Sequence, residues 1–514
     1  MVDRYVPEIV IGFVAPSGTD HDRVMKLVAE RLRFYRYESA DVRLSSLLRQ
    51  SAIEGKRLTE EDANDVYLRT LALQREGDLF REAFKSCDAL ALAAVAEIAG
   101  VRASRHGGEA ETPADRLAYL VWSFKTPEEL TTLRAIYRSR FFVISVYTPR
   151  AERVEKLAQN IAASRRRVGS PGGKERSNAE EIVANDEHED QNGESKFGQN
   201  VRDAYPAADF FVSADKASVD RAVDIIFGHP FLTPTRDEFG MFVANASALR
   251  SAELGRQVGA AIANDMGDIL TTGFNEVPAA GGGQYSEDRD PDFREFVMGV
   301  DSSDELRAIL AGQIERSLRR GELLKDPGTS TSAIQDALRG THIRYLTEFG
   351  RALHAESSAL MDGARRGVSV KGATIYVTTF PCHQCTRQVI ASGLERLVYI
   401  YPYPKSLAER FHGDAIHVDG EVLADKIPFE PFRGVAPRRY VDAFSMVKRK
   451  NDEDGSALPF DDPNRSPRLY PSDPEGTWEA GSYVVREQNA LRLAREMFNT
   501  VNAMHDLGKR EEKA

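Results

Sequence analysis

Two short motifs, His354-Ala355-Glu356 and Pro381-Cys382-His383-Gln384-Cys385, place metal-binding and proton-moving side chains in one pattern. One histidine and two cysteines make three zinc ligands. A tetrahedral Zn2+ with three protein ligands keeps its fourth position open for water, which is the catalytic rather than the structural arrangement. Glu356, two residues past His354, is placed to move protons without binding the metal. Cys382 and Cys385 are three apart, so both face one side of a first helical turn. The amino end of such a helix favours thiolate over thiol. His383 points elsewhere on that turn and reads as a non-ligand. An isolated CxxC also serves as a redox pair, and an isolated histidine is usually a core or surface residue; the upstream HxE and the proline before Cys382 weigh toward a metal.

The elements needed to present these residues are legible nearby. Residues 373–379 are β-branched and read as a half-buried strand. Pro381 suits a first helical position and Gly393 a helix stop. A second helix should begin at His354 and Glu356 and run through Ala359, Leu360 and Ala364. Residues 397–401 read as a strand parallel to the previous one, ending in Pro402-Tyr-Pro-Lys-Ser406. There Lys405 is a candidate phosphate contact and Tyr403 a candidate base-stacking ring. Upstream, 241–266 reads as one helix with Arg250 and Gln257 on polar positions, and 268–274 as a strand. Asn275 follows that strand; a short amide there can hold a sugar hydroxyl or simply make a turn. Residues 284–346 are charged and helical in pattern, without evident chemistry.

The amino-terminal region has its own pattern. A buried-type strand over 8–15, the turn Pro16-Ser-Gly-Thr-Asp20 and a helix over 21–34 form the layout that cradles phosphate. Gly12 and Gly18 are the candidate loop glycines. Thr19 stands where a P-loop has lysine, and Asp20 where it has serine or threonine, so the charge that reaches the β- and γ-phosphates is missing. A helix over 90–98 and strands over 118–124, 141–147 and 209–213 indicate a parallel sheet. Lys125 follows a strand end, where a phosphate contact and a solvated surface lysine are both open readings. Residues 150–199 hold Arg165-Arg166-Arg167 and an acidic run from Asp186, and read as a lid-like insertion spanning about 160–200. Prolines at 230 and 234 mark a junction. The expected fold class is α/β, with a P-loop kinase-like parallel-sheet domain over 1–232 and a three-layer α-β-α domain over 236–450. A carboxyl-terminal arm and amphipathic helix follow over 451–514, the helix packing its apolar stripe on a core.

Composition bounds the rest. The chain of 514 residues is 42% hydrophobic and 29% charged, ordinary for a globular protein with a sizeable core. Its three cysteines leave no disulfide framework and point to a reducing cytoplasm. No apolar run approaches the ~20 residues that span a bilayer. A net charge of −11 argues against a broad nucleic-acid-coating surface.

The stretches Arg250–Ala260, Gly273–Pro278, His354–Glu356, Pro381–Cys385 and Tyr401–Ser406 resemble the deoxycytidylate deaminase family. The HxE…PCxxC set is also the known signature of zinc nucleobase deaminases. Combined with the amino-terminal P-loop-like region, the chain resembles bacterial two-domain anti-phage dCTP deaminases. That resemblance implies a Zn2+-dependent, cytoplasmic homo-oligomer that hydrolyses the cytosine amine of dCTP and dCMP, giving dUTP and dUMP and draining the deoxycytidine pool. It also implies that Asn275 meets the sugar and that Lys405 and the Arg250–Gln257 stretch lie near phosphates. The amino-terminal domain would then be regulatory, with a second nucleotide, a regulatory RNA or a phage trigger as partners. A polynucleotide deaminase, a vestigial nucleotide sensor and a working amino-terminal kinase are the competing readings. An enzyme acting on strands would want a basic groove with stacking aromatics.

Overall fold

The computed structural model describes residues 6–51, 63–166, 171–187, 197–326, 328–339, 341, 343, 350–403, 406–418, 423–459, 461–468 and 483–496. They form two compact units, one of residues 1–233 with 433–514 and the other of residues 234–432.

The first unit is built on β1 (Ile9–Val14), β2 (Glu38–Arg43), β3 (Leu117–Phe124), β4 (Phe141–Tyr147), β5 (Phe210–Ser213) and β12 (Gly434–Val435). Their order is β12-β5-β4-β1-β3-β2. All neighbours run parallel except β12, which is antiparallel to β5. Both faces of a parallel sheet are covered, so its central strands read as continuous apolar runs, and every residue of β1 is buried. The helix α1 (His21–Phe34) buries Val24, Met25, Val28 and Leu32, one stripe at helical spacing.

The segment expected as a lid contains two helices, Arg150–Ser164 and Gly173–Glu187, whose apolar residues Val154, Ile161, Ile182 and Val183 share a small core. Residues 433–450 leave the α-β-α unit, because Gly434 and Val435 extend the first sheet at β5. The carboxyl-terminal helical residues 483–496 also belong to the first unit, where they meet a buried charge cluster. Arg102 pairs with Glu8 at 2.7 Å and with Glu487 at 2.5 Å, all nearly inaccessible. Tyr483 and Tyr119 donate to Glu8, and Tyr137 donates to Glu487. Buried charges persist only when paired and hydrogen-bonded, and here each carboxylate oxygen has a donor.

The second unit holds β6 (Gly259–Ala263), β7 (Ile269–Phe274), β8 (Thr374–Thr379), β9 (Arg396–Tyr401), β10 (Ile416–Val418) and β11 (Ile427–Pro431), in the order β10-β11-β9-β8-β6-β7. β6 is antiparallel to β7 and β8, and the rest are parallel. The helix expected over 241–266 is instead α2 (Arg236–Ala248), a loop and then β6. Gly-Ala-Ala-Ile-Ala reads as helix by propensity, but all five residues are buried between two strands. Small side chains are needed there: a β-carbon on Gly259 would lie 2.0 Å from the Ala244 carbonyl oxygen of α2. Thr235 and Glu238 close a capping box at the start of α2. Arg396 on β9 grips Asp237 through both guanidinium nitrogens, at 2.7 and 2.8 Å, and Glu430 on β11.

Arg102→Ala leaves Glu8 and Glu487 buried without a counter-ion. It should destabilise the first unit by about 3–5 kcal/mol in chemical denaturation; a change below ~0.5 kcal/mol would show that the cluster is not a stabilising core.

Candidate metal and deaminase site

The two motifs meet at two helix starts. His354 is the N-cap of α3 (Ala355–Arg366), and Cys382 is the N-cap of α4 (His383–Ala391). The cysteine helix thus starts two residues later than the proline suggested, with Cys382 extended and Cys385 in the first turn. Two devices fix α3. Leu353, just before His354, exchanges backbone hydrogen bonds with Glu276 at 3.0 and 3.3 Å. A β-carbon on Gly273 would lie 2.2 Å from the Ala355 carbonyl oxygen, so α3 rests directly on the backbone of β7. On the other side, the Ser406 hydroxyl donates to the Pro381 carbonyl at 2.7 Å and ties down the approach to Cys382.

His354 Nδ1 lies 3.5 Å from Cys382 Sγ and 3.4 Å from Cys385 Sγ. The ligand atoms of all three fall within 4.8 Å of one another. Zn–S bonds of about 2.3 Å and a Zn–N bond of about 2.0 Å at tetrahedral angles give S···N edges of roughly 3.5 Å. The residues present therefore fit zinc in donor type and in spacing. His383 is outside the cluster: its ring lies edge-on to Phe411, with 5.7 Å between ring centroids.

The hydrogen bond from Cys385 pulls the Cys382 thiol down, helped by His354, while Cys385, carrying the shared proton, is pushed up. His354, hydrogen-bonded to Cys382, is raised to about 9. A cation entering this site displaces those protons. Glu356 is 4% exposed, and burial raises its carboxyl above the usual range.

Ser357 and Gln388 were not singled out by motif. The Ser357 hydroxyl bonds the Gln388 amide oxygen and lies 3.6 Å from Cys385 Sγ, so it orients a ligand from behind. Gln284 likewise bonds the Phe274 carbonyl and the Ser358 hydroxyl, linking the turn after β7 to α3. Neither has a sequence signal beyond its nearness to a motif.

The other expected site residues vary. Asn275 is nearly buried; its amide oxygen accepts from Val258 N–H and its nitrogen donates to the Arg256 carbonyl, each at 2.7 Å. It holds the loop between α2 and β6, and keeps one N–H and one lone pair beyond these bonds. Arg250 and Gln257 sit exposed on that loop rather than on a helix. Arg250 lies 4.2 Å over the Phe274 ring, and Gln257 donates to the Ser251 carbonyl. Tyr403 packs half-buried against the unit's core. Lys405 lies outside the described residues. In the first unit, Gly12 is inside β1 and not in the turn: a β-carbon there would meet the Phe124 and Phe141 rings at 2.6 and 2.9 Å. Gly18 is the turn glycine, with φ +91°. Asp20 caps α1 through Arg23 N–H and pairs with Lys156, and Thr19 is buried.

Glu253, Glu295 and Asp301 form a second cluster, and Glu253 is pushed up to about 7 by burial and by the neighbouring carboxylates.

The profile described as "Cytidine and deoxycytidylate deaminase zinc-binding region" matches residues 234–401. The deoxycytidylate deaminase of Enterobacteria phage T4 is 30% identical over 152 residues, covering 29% of this chain and 69% of the relative. That of Mycobacterium phage D29 is 30% identical over 166 residues, covering 32% of this chain and 94% of the relative. Among solved structures, the dCMP deaminase of cyanophage S-TIM5 in complex with dCMP and dUMP is 17% identical, covers 39% of this chain and 100% of its own, and has a TM-score of 0.23.

Two substitutions probe this geometry. Gly273→Ala forces α3 off β7 and should lower zinc retention and activity together, read by metal analysis and turnover of the same preparation; intact metal content would contradict the packing argument. A carboxyl raised on folding favours the native state most at low pH and loses that contribution as pH climbs through its folded value. Glu253→Gln should therefore raise the melting temperature at about pH 8 but not at about pH 5, and an equal shift at both would show that Glu253 does not titrate between them.

Proposed function

Because this chain belongs to the deoxycytidylate deaminase family, we propose that it hydrolyses the cytosine amine of deoxycytidine nucleotides, dCTP and dCMP, to give dUTP and dUMP. One observation carries this reading: three zinc-matched ligand atoms stand beside a buried glutamate that is not among them. Zinc, when bound, supplies a water acidified toward neutrality. His354, Cys382 and Cys385 hold the metal, and Ser357 keeps Cys385 oriented. Glu356, raised by burial, takes a proton as water adds to C4 of the cytosine. It passes that proton to N3, takes the second proton from the hydroxyl now on C4 and gives it to the departing amine, ending as it began. Its place in the first turn of α3 holds that carboxylate next to His354.

In this reading Asn275 offers its remaining N–H and lone pair to the sugar, Lys405 and the exposed Arg250 and Gln257 approach the phosphates, and Tyr403 borders the base. The first unit is regulatory and kinase-like in descent. Its support is a strand, a glycine turn and a capped helix in the P-loop order, with the P-loop lysine and hydroxyl replaced by Thr19 and Asp20. Draining deoxycytidine nucleotides during phage infection is the cellular role that the two-domain resemblance supports; nucleotide profiling of infected cells tests it. Self-association is supported by the exposed apolar run Phe293, Phe296, Val297, Met298 and Val300. Among the described residues no helix is long and apolar enough to cross a membrane.

Purified chain incubated with dCTP, dCMP and single-stranded oligodeoxynucleotides should release ammonia from the mononucleotides alone. Glu356→Ala should keep its zinc and lose at least ~10²-fold in turnover, the scale of general acid–base catalysis. A zinc-replete variant with parental turnover would remove Glu356 from the mechanism.

A further inference from the structure

The turn between β1 and α1 has an anion in it, and the anion belongs to the chain. Asp186 is 0% exposed. One of its carboxylate oxygens accepts from Ser17 N–H at 2.6 Å, and the other meets Lys125 Nζ at 2.7 Å. Lys125 directly follows β3, which runs parallel beside β1, so its ammonium reaches the turn and also donates to the Ala15 carbonyl. The cation missing at Thr19 is thus supplied from the neighbouring strand. Arg153 and Lys156, on the helix after β4, close the other side: Arg153 donates to the Ser17 carbonyl and Lys156 pairs with Asp20. Gly18 approaches so closely that a β-carbon would lie 2.7 Å from the Arg153 carbonyl oxygen. Lys125, Arg153 and Lys156 therefore gather around the turn, with Lys125 paired to Asp186 and Lys156 to Asp20.

Two further observations mark the turn as a ligand site rather than a plain ion pair. Thr19, 6% exposed, has a buried hydroxyl with no hydrogen-bond partner among the described residues; buried hydroxyls are normally satisfied. Asp186 lies in the last turn of the helix Gly173–Glu187, where the helix dipole disfavours an anion. Its position is set by the cations it meets and not by its own helix.

We infer that the Ala15–Asp20 turn is a binding site for an oligophosphate group, held closed by the Asp186 carboxylate, and that a phosphorylated ligand enters by exchanging with it. A phosphoryl oxygen accepts the same hydrogen bonds as a carboxylate and carries more charge. The helix Gly173–Glu187 is then released from the turn when the site fills. This inference does not rest on the deaminase reading, since binding is measured directly and far-UV circular dichroism shows that the variants are folded.

The probe is inorganic tripolyphosphate, titrated into the full chain by calorimetry. Asp186→Asn keeps the shape and removes the charge. It should bind at least ~10-fold tighter than the parent, because the closed state no longer competes. Adding Lys125→Met to that variant should abolish the gain. No gain in Asp186→Asn, or a gain that survives Lys125→Met, overturns the inference. The unmodified chain gives an independent test: saturating tripolyphosphate should speed amide hydrogen exchange in the helix Gly173–Glu187. Unchanged exchange at saturation, or no binding at millimolar tripolyphosphate, overturns it equally.

Discussion

The close approach of α3 to the bare backbone of β7 is the constraint on which the site depends. His354 and Glu356 sit at the first turn of that helix, where a displacement of one side-chain radius would separate Nδ1 from the two sulfurs. Gly273 removes the atom that would cause it. Backbone pairing of Leu353 with Glu276 fixes the same point along the chain. A metal site on two helix starts is only as accurate as the surfaces those helices rest on.

Burial and charge act in opposite directions on Glu356. Exclusion of water raises its carboxyl, and a divalent cation held by His354, Cys382 and Cys385 would lower it again. A group that must accept a proton and return it benefits from lying between these limits. The same reasoning separates the two cysteines: their mutual hydrogen bond lowers the Cys382 thiol and raises that of Cys385.

Local features of this fold were legible in sequence, and long-range ones were not. The HxE and CxxC motifs picked out three side chains that the fold brings together, because fixed spacing at a helix start is a local property. β1, β3, β4 and β9 declared themselves as apolar runs, and α1 by its period. β6 did not: Gly259–Ala263 carries helix formers, and only its position between β7 and β8 makes it a strand. β2 was missed because its outward residues are polar and it lies at a sheet edge. The return of Gly434-Val435 to β5, and of Glu487 to Arg102, depends on contacts hundreds of residues apart. The same limit left Lys125 open between a phosphate contact and a surface lysine, because its reach to Asp186 and to the Ala15 carbonyl depends on the fold.

The most direct measurement is X-ray absorption at the zinc edge of the loaded protein. The account predicts a shell of two sulfurs at about 2.3 Å, one imidazole nitrogen near 2.0 Å and one further light atom. A shell without sulfur, or one completed by a glutamate carboxylate, would contradict it.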